Sequence, residues 1–210
     1  MFSIVNSVFA VHEGLIDTGR LRSLSRRGRS ISAVECGLLV LFGLAAAGLC
    51  GLKLNLGIPG HNVLRVVFPM ALGLAVVPRR GAATIMGLSG SAGAAVLLLG
   101  GSRGLGSGAA TSLVLTGFFL DLALVKARGG PSVYVRLVLA GLAANLAAFL
   151  VRGGGKVAGL GLEGLPLELW WRSAAVTYPL CGAVAGLMSA AVWFRFAARP
   201  KPPADREAPA

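Results

Sequence analysis

The sequence predicts an all-α, polytopic membrane protein: a bundle of about six transmembrane helices with the N-terminus and the C-terminus both inside. Three observations predict it. Hydrophobic residues make up 55% of the 210 positions and charged residues only 13%, an imbalance that a soluble domain of this length does not carry. Nearly half of the 31 glycines lie within the apolar stretches, where they let membrane helices approach closely. Lysine and arginine fall mainly between those stretches and are denser at alternate connections, the pattern that sets orientation in a bilayer.

A helix crosses the hydrocarbon core with roughly 20 apolar residues, and six such windows are present. The first runs from Ala33 to Leu52, with Glu35 in its opening turn, where a carboxylate complements the helix N-terminus. The second, from Asn62 to Val77, is shorter and is closed by Pro78, Arg79 and Arg80, which makes it the weakest of the set. The third covers Ala82 to Gly100, the fourth Ser107 to Val125, the fifth Val133 to Val151 and the sixth Ser173 to Phe196. The transmembrane domain is therefore 33–197.

Residues 1–32 precede it. A short apolar start is followed by Arg20, Arg22, Arg26, Arg27 and Arg29. A secretory signal places its charge before the apolar region, so this segment reads instead as an amphipathic, basic stretch lying on the inner membrane surface. Residues 198–210 are polar and rich in proline, the composition of a disordered cytoplasmic tail. With the N-terminus inside, the cytoplasmic connections hold that arginine cluster, Arg79 and Arg80, Lys126, Arg128 and Arg136, and the basic end from Arg195 onward. The external ones hold Lys53, Arg65, Arg103, Arg152, Lys156 and Arg172. The bias favours this orientation, the connection between the fifth and sixth spans being its exception.

Several function classes drop out. The formal charge of +12 is spread along topology-setting connections and forms no aromatic-interleaved basic face, so nucleic acid is not the partner. Cys36, Cys50 and Cys181 lie in apolar segments with no CxxC spacing and read as small apolar fillers. His12 and His61 fall on opposite sides of the membrane, which disfavours a metal site. No GKS or GKT loop is present, and GGSRGLGSG after the third span reads as an external turn. An intramembrane enzyme would need paired acidic, histidine or serine groups at matching depth, so no enzyme and no cofactor is expected.

Polar groups inside apolar spans need a partner or a function. Asp121, near the cytoplasmic end of the fourth span, stands about one turn before Lys126 and reads either as an interfacial pair along the helix or as a functional carboxylate. Asn145, at mid-depth of the fifth span, reads as an interhelical hydrogen bond or a ligand contact. The segment from Lys53 to Arg65 places Gly57, Pro59 and Gly60 just before His61, Asn62 and Arg65. Such an ordered external turn can present an imidazole, an amide and a guanidinium toward a cavity. It also suits a plain loop with Asn62 as a cap and Arg65 snorkelling. A second outer cluster, Glu163, Glu168, Trp170, Trp171 and Arg172, precedes Thr177 and Tyr178; paired tryptophans there form an interfacial belt or stack on a ring ligand. Small residues recur every four positions at Gly87, Ser91 and Ala95, at Ala140, Ala144 and Ala148, and at Gly182, Gly186 and Ala190. These flat faces pack the bundle or meet another membrane subunit.

Six short spans, the structured first external loop, the ending GFFLDL of the fourth span and the glycine-rich last span YPLCGAVAGLMSAAV together resemble the substrate-binding S components of energy-coupling factor transporters. The resemblance covers about Ala33 to Ala197. It implies a capture subunit, in a bacterial cytoplasmic membrane, of an importer for a vitamin, a precursor or a similar micronutrient. It further implies a transmembrane coupling subunit and two cytosolic ATPases as partners. Carried onto this chain, the lid is Lys53 to Asn62, the pocket residues are His61, Asn62, Asn145, Trp170, Thr177 and Tyr178, and the coupling face includes Ala45, Ala46 and Ala47. The basic cytoplasmic N-terminus departs from the nickel and cobalt members, which begin with an external metal-binding histidine. The alternative is a non-catalytic membrane subunit of a larger complex, whose small-residue faces bind other helices.

Overall fold

The computed structural model describes residues 31–52, 58–77, 79–100, 107–125, 132–159 and 166–197. Among them are six α-helices and no strand: α1 (Ala33–Gly51), α2 (Asn62–Val76), α3 (Ala82–Leu99), α4 (Ser107–Val125), α5 (Ser132–Val157) and α6 (Leu167–Ala197). The basic N-terminal segment, the C-terminal tail, Lys53, Lys126 and Glu163 lie outside the described residues. By length and composition α1, α3, α5 and α6 are each apolar enough to cross a membrane, while α2 and the described core of α4 are shorter apolar helices. The protein is a multi-pass membrane protein. Its outward faces carry Leu99, Leu150 and Val157 at 89%, 68% and 73% exposure, which lipid accommodates and water does not. Buried polar residues, Ser112, Thr116, Asp121, Asn145 and Ser189, lie inside.

Consecutive helices run antiparallel. One end of the bundle gathers the start of α1, the α2–α3 turn and the end of α4, and is called here the Glu35 end. The opposite end gathers residues 58–61, the end of α5 and the start of α6, and is called the Gly60 end. Neighbouring contacts run α1–α3–α4–α5–α6–α2 and back to α1, and α2 also touches α3 and α4. The weakest span in the sequence is thus the most enclosed helix. Val63, Val66, Val67, Met70 and Leu74 are all buried on it. An innermost helix needs no long apolar stripe toward lipid, so its shortness reflects its position.

Two seams bring helix backbones together. Gly87 of α3 meets Gly117 of α4, where a Cβ on Gly87 would stand 2.7 Å from the Leu113 carbonyl oxygen. Gly141 of α5 meets Gly182 and Gly186 of α6, and a Cβ on Gly182 would stand 2.6 Å from the Gly141 carbonyl oxygen. Small residues at such seams replace hydrophobic driving force with close backbone packing. The repeated faces Ala140, Ala144, Ala148 and Gly182, Gly186, Ala190 are buried inside the bundle, whereas Ala95 is exposed.

Two boundaries differ from the sequence reading. α5 continues past Val151 to Val157, and α6 begins at Leu167, before Ser173. Arg152, Lys156 and Arg172 look like span-ending charges, but long cationic side chains extend toward polar surroundings while their helix continues. Packing supplies the rest, because Gly153 presents a flat surface to the Trp170 ring, 3.5 Å from where a Cβ would sit.

Candidate functional site

The site grows from the α5–α6 seam. On α5 the row Gly141, Asn145, Phe149, Gly153 advances four residues at a time, so all four share one face. It meets Gly186, Gly182, Tyr178 and Trp170 of α6 in reverse order. Contact begins as glycine on glycine, passes through an amide and ends in aromatic rings.

Asn145 is 1% exposed. Its Nδ2 donates to the Tyr178 carbonyl at 2.7 Å and to the Gly60 carbonyl at 3.3 Å. One side chain therefore joins α5, α6 and the turn between α1 and α2. The turn approaches this closely because Gly60 has φ +83°, a left-handed conformation natural to glycine. A Cβ there would also stand 3.0 Å from Tyr178 Cγ and 3.1 Å from Asn145 Nδ2. Beyond Asn145, Phe149 stacks on Trp170 at 5.4 Å between ring centroids and meets Tyr178 edge-on at 5.4 Å. Arg152 hydrogen-bonds the Tyr178 side chain, and Lys156 lies 6.0 Å from the Trp170 ring centroid. Such stacked and edge-on pairs add to the burial of the rings themselves.

Of the six residues singled out in the sequence, Asn145, Trp170 and Tyr178 come together and are buried. His61 is half-buried beside them, with its Nδ1 at 2.5 Å from the Ile58 carbonyl. Asn62 is the first residue of α2 and does not cap it; the cap position falls to His61, whose side chain makes no capping bond. Thr177 returns its hydroxyl to its own helix, donating to the Ser173 carbonyl at 2.9 Å. Trp171 is 53% exposed and suits a belt position, whereas Trp170 belongs to the core. Arg65 donates to the Leu52 carbonyl at the end of α1, at 3.0 Å, and so satisfies a helix C-terminus. On α1, Ala45 faces outward while Ala46 and Ala47 are buried. Phe149, at the centre of the aromatic group, was not among the sequence candidates, although its place four residues after Asn145 was the available signal.

Among the described residues, the partners of Asp121 belong to another helix. Its carboxylate accepts from the Ala83 N–H at 3.2 Å, the Thr84 N–H at 2.7 Å and the Thr84 hydroxyl at 2.6 Å. The N-cap residue of α3 is Gly81, which has no side chain to cap with, so the carboxylate of α4 caps α3 from outside. Gly117 makes this possible by letting α4 approach Ala83 one turn before Asp121. The pattern of glycine, three residues and aspartate is a helix-to-helix cap. At the same end Ser32 and Glu35 form a capping box on α1, and Arg79 pairs with Glu35 at 3.1 Å.

Comparison with protein-family models, with curated proteins and with solved structures finds no match.

Proposed function

We propose that the chain is the membrane-embedded capture subunit of an importer for a small micronutrient, a vitamin or its precursor, as the resemblance to energy-coupling factor S components implies. In this reading all six helices cross a bacterial cytoplasmic membrane with both termini in the cytoplasm, and the Gly60 end faces outward. The chain captures substrate and performs no chemistry. Energy comes from cytosolic ATPases through a transmembrane coupling subunit, which meets α1 at Ala45 and the neighbouring outward residues Leu41, Leu44 and Gly48.

The observation that carries this reading is the seat of the α1–α2 connection. Within residues 58–61, Gly60 rests on Tyr178 and is held by Asn145. The bond to the loop, at 3.3 Å, is the longer of the two that Asn145 donates. A lid needs such a contact, specific enough to close and weak enough to release. Lifting it would free the Asn145 amide and bare the Tyr178 ring beside Trp170, groups suited to a flat ligand with hydrogen-bond acceptors.

The test is a thermal-shift panel of vitamins, precursors and metal ions on the purified protein. One chemical class should raise the midpoint, because a ligand at a hundred times its Kd stabilises by about 2.7 kcal/mol, and Asn145→Ala should abolish the shift. If no member of the panel shifts the midpoint, the capture reading fails. A second reading, a non-catalytic subunit of a larger membrane complex, is favoured by one observation: Asn145 already bonds the Tyr178 carbonyl and Trp170 already packs edge-on against the Tyr178 ring inside the chain. It predicts no shift with any ligand and co-purification with other membrane subunits.

A further inference from the structure

Beside the aromatic group, the last turns of α5 and the first turns of α6 line an open groove of about 460 Å³. Phe149 forms part of its wall, Leu150, Gly154 and Trp171 line it, and Glu168 and Arg172 supply its charged groups. Its apolar lining is itself exposed, with Leu150 at 68% and Val157 at 73%. The groove is therefore continuous with the face that meets the bilayer. Trp171 and the adjacent charges mark the depth where acyl chains give way to headgroups.

Glu168 and Arg172 are spaced for an ion pair along one turn of α6, about 6 Å apart in rise. Among the described residues neither takes part in one. The groove thus offers an apolar slot with one carboxylate and one guanidinium at its mouth. A headgroup that complements both carries a phosphate and an ammonium. A primary ammonium can donate hydrogen bonds to Glu168, which a quaternary one cannot. Recognition of a quaternary ammonium takes a cage of aromatic rings, and among the described groove residues Trp171 alone brings an exposed ring to the mouth. We infer that this groove binds a zwitterionic phospholipid with a primary-amine headgroup, one acyl chain lying along Gly154 and Leu150, the phosphate on Arg172 and the ammonium on Glu168.

The experiment counts retained lipid by native mass spectrometry after the full-length protein in mild detergent meets equal amounts of phosphatidylethanolamine, phosphatidylcholine and phosphatidylglycerol with identical chains. Phosphatidylethanolamine should be retained about fivefold over either competitor, a ratio in keeping with charge-assisted contacts at an exposed rim. Glu168→Gln should reduce it to the phosphatidylcholine level, and Arg172→Gln should lower retention of all three. Gly154→Leu should abolish retention while the protein still melts cooperatively, because nothing lies within 4 Å of a Cβ at that position and leucine favours a helix over glycine. Equal retention of the three lipids, a preference for phosphatidylglycerol, no retained lipid, or an unchanged preference in Glu168→Gln would each overturn the inference. So would wild-type retention in Gly154→Leu.

Discussion

The two ends of the bundle each depend on one buried polar side chain, and they use it differently. At the Glu35 end, Asp121 fixes one helix to the start of another through three bonds, two of them short, to adjacent donors on a single rigid turn. At the Gly60 end, Asn145 divides its amide between a helix at 2.7 Å and a loop at 3.3 Å. The difference teaches what burial of a polar group accomplishes. A charge whose partners all belong to one rigid element locks that element. A neutral amide shared between a rigid and a movable element makes a joint that can open on one side only.

The largest effect expected from breaking this comparison is at Asp121. Asp121→Ala leaves two N–H groups and a hydroxyl of α3 without their acceptor and should cost about 3 kcal/mol, read as a lower unfolding midpoint in detergent. Asp121→Asn, which keeps one acceptor oxygen, should fall between that variant and wild type. Asn145→Ala should cost less, about 1–2 kcal/mol, the range for interhelical polar contacts in membranes. A larger loss than that of Asp121→Ala would reverse the ranking of the two ends.

Two glycines sharpen the contrast further. Gly60 and Gly81 both have φ near +80°, but a Cβ on Gly60 meets Tyr178 whereas one on Gly81 meets nothing within 4 Å. Gly81→Ala should carry only the backbone cost, about 1 kcal/mol, and Gly60→Ala should exceed it and unseat the loop. Limited proteolysis at residues 58–61 would separate them. The smallest effect is expected at Glu35, whose pair with Arg79 is solvent-screened. Glu35→Gln should leave the unfolding midpoint unchanged in high salt.

Much of the fold was legible because helix length, apolar composition and bounding glycine and proline are local properties. Ala33, Asn62, Ala82 and Ser107 begin their helices where the sequence places them. The interhelical bond of Asn145 was legible too, since an amide in an apolar span has few alternatives. Partners distant in the chain were not. Asp121 reads locally as a neighbour of Lys126, which lies outside the described residues, while its donors among the described residues lie 37 and 38 positions away. The enclosure of α2 likewise depends on how other helices surround it, which its own composition does not encode. The candidate site was legible as polar and aromatic residues at one end, but Phe149 and Arg152 became part of it only through the α5–α6 row.

Hydrogen exchange at the amides of Gly60 to Leu64, compared with those of Ala83 and Thr84, tests the central contrast most directly. In wild-type protein the first group should exchange faster than the second. Asn145→Ala should accelerate the first group alone, and a captured ligand should slow it. Equal protection at both ends, or a response to Asn145→Ala spread over both, would contradict the account of one locked end and one that opens.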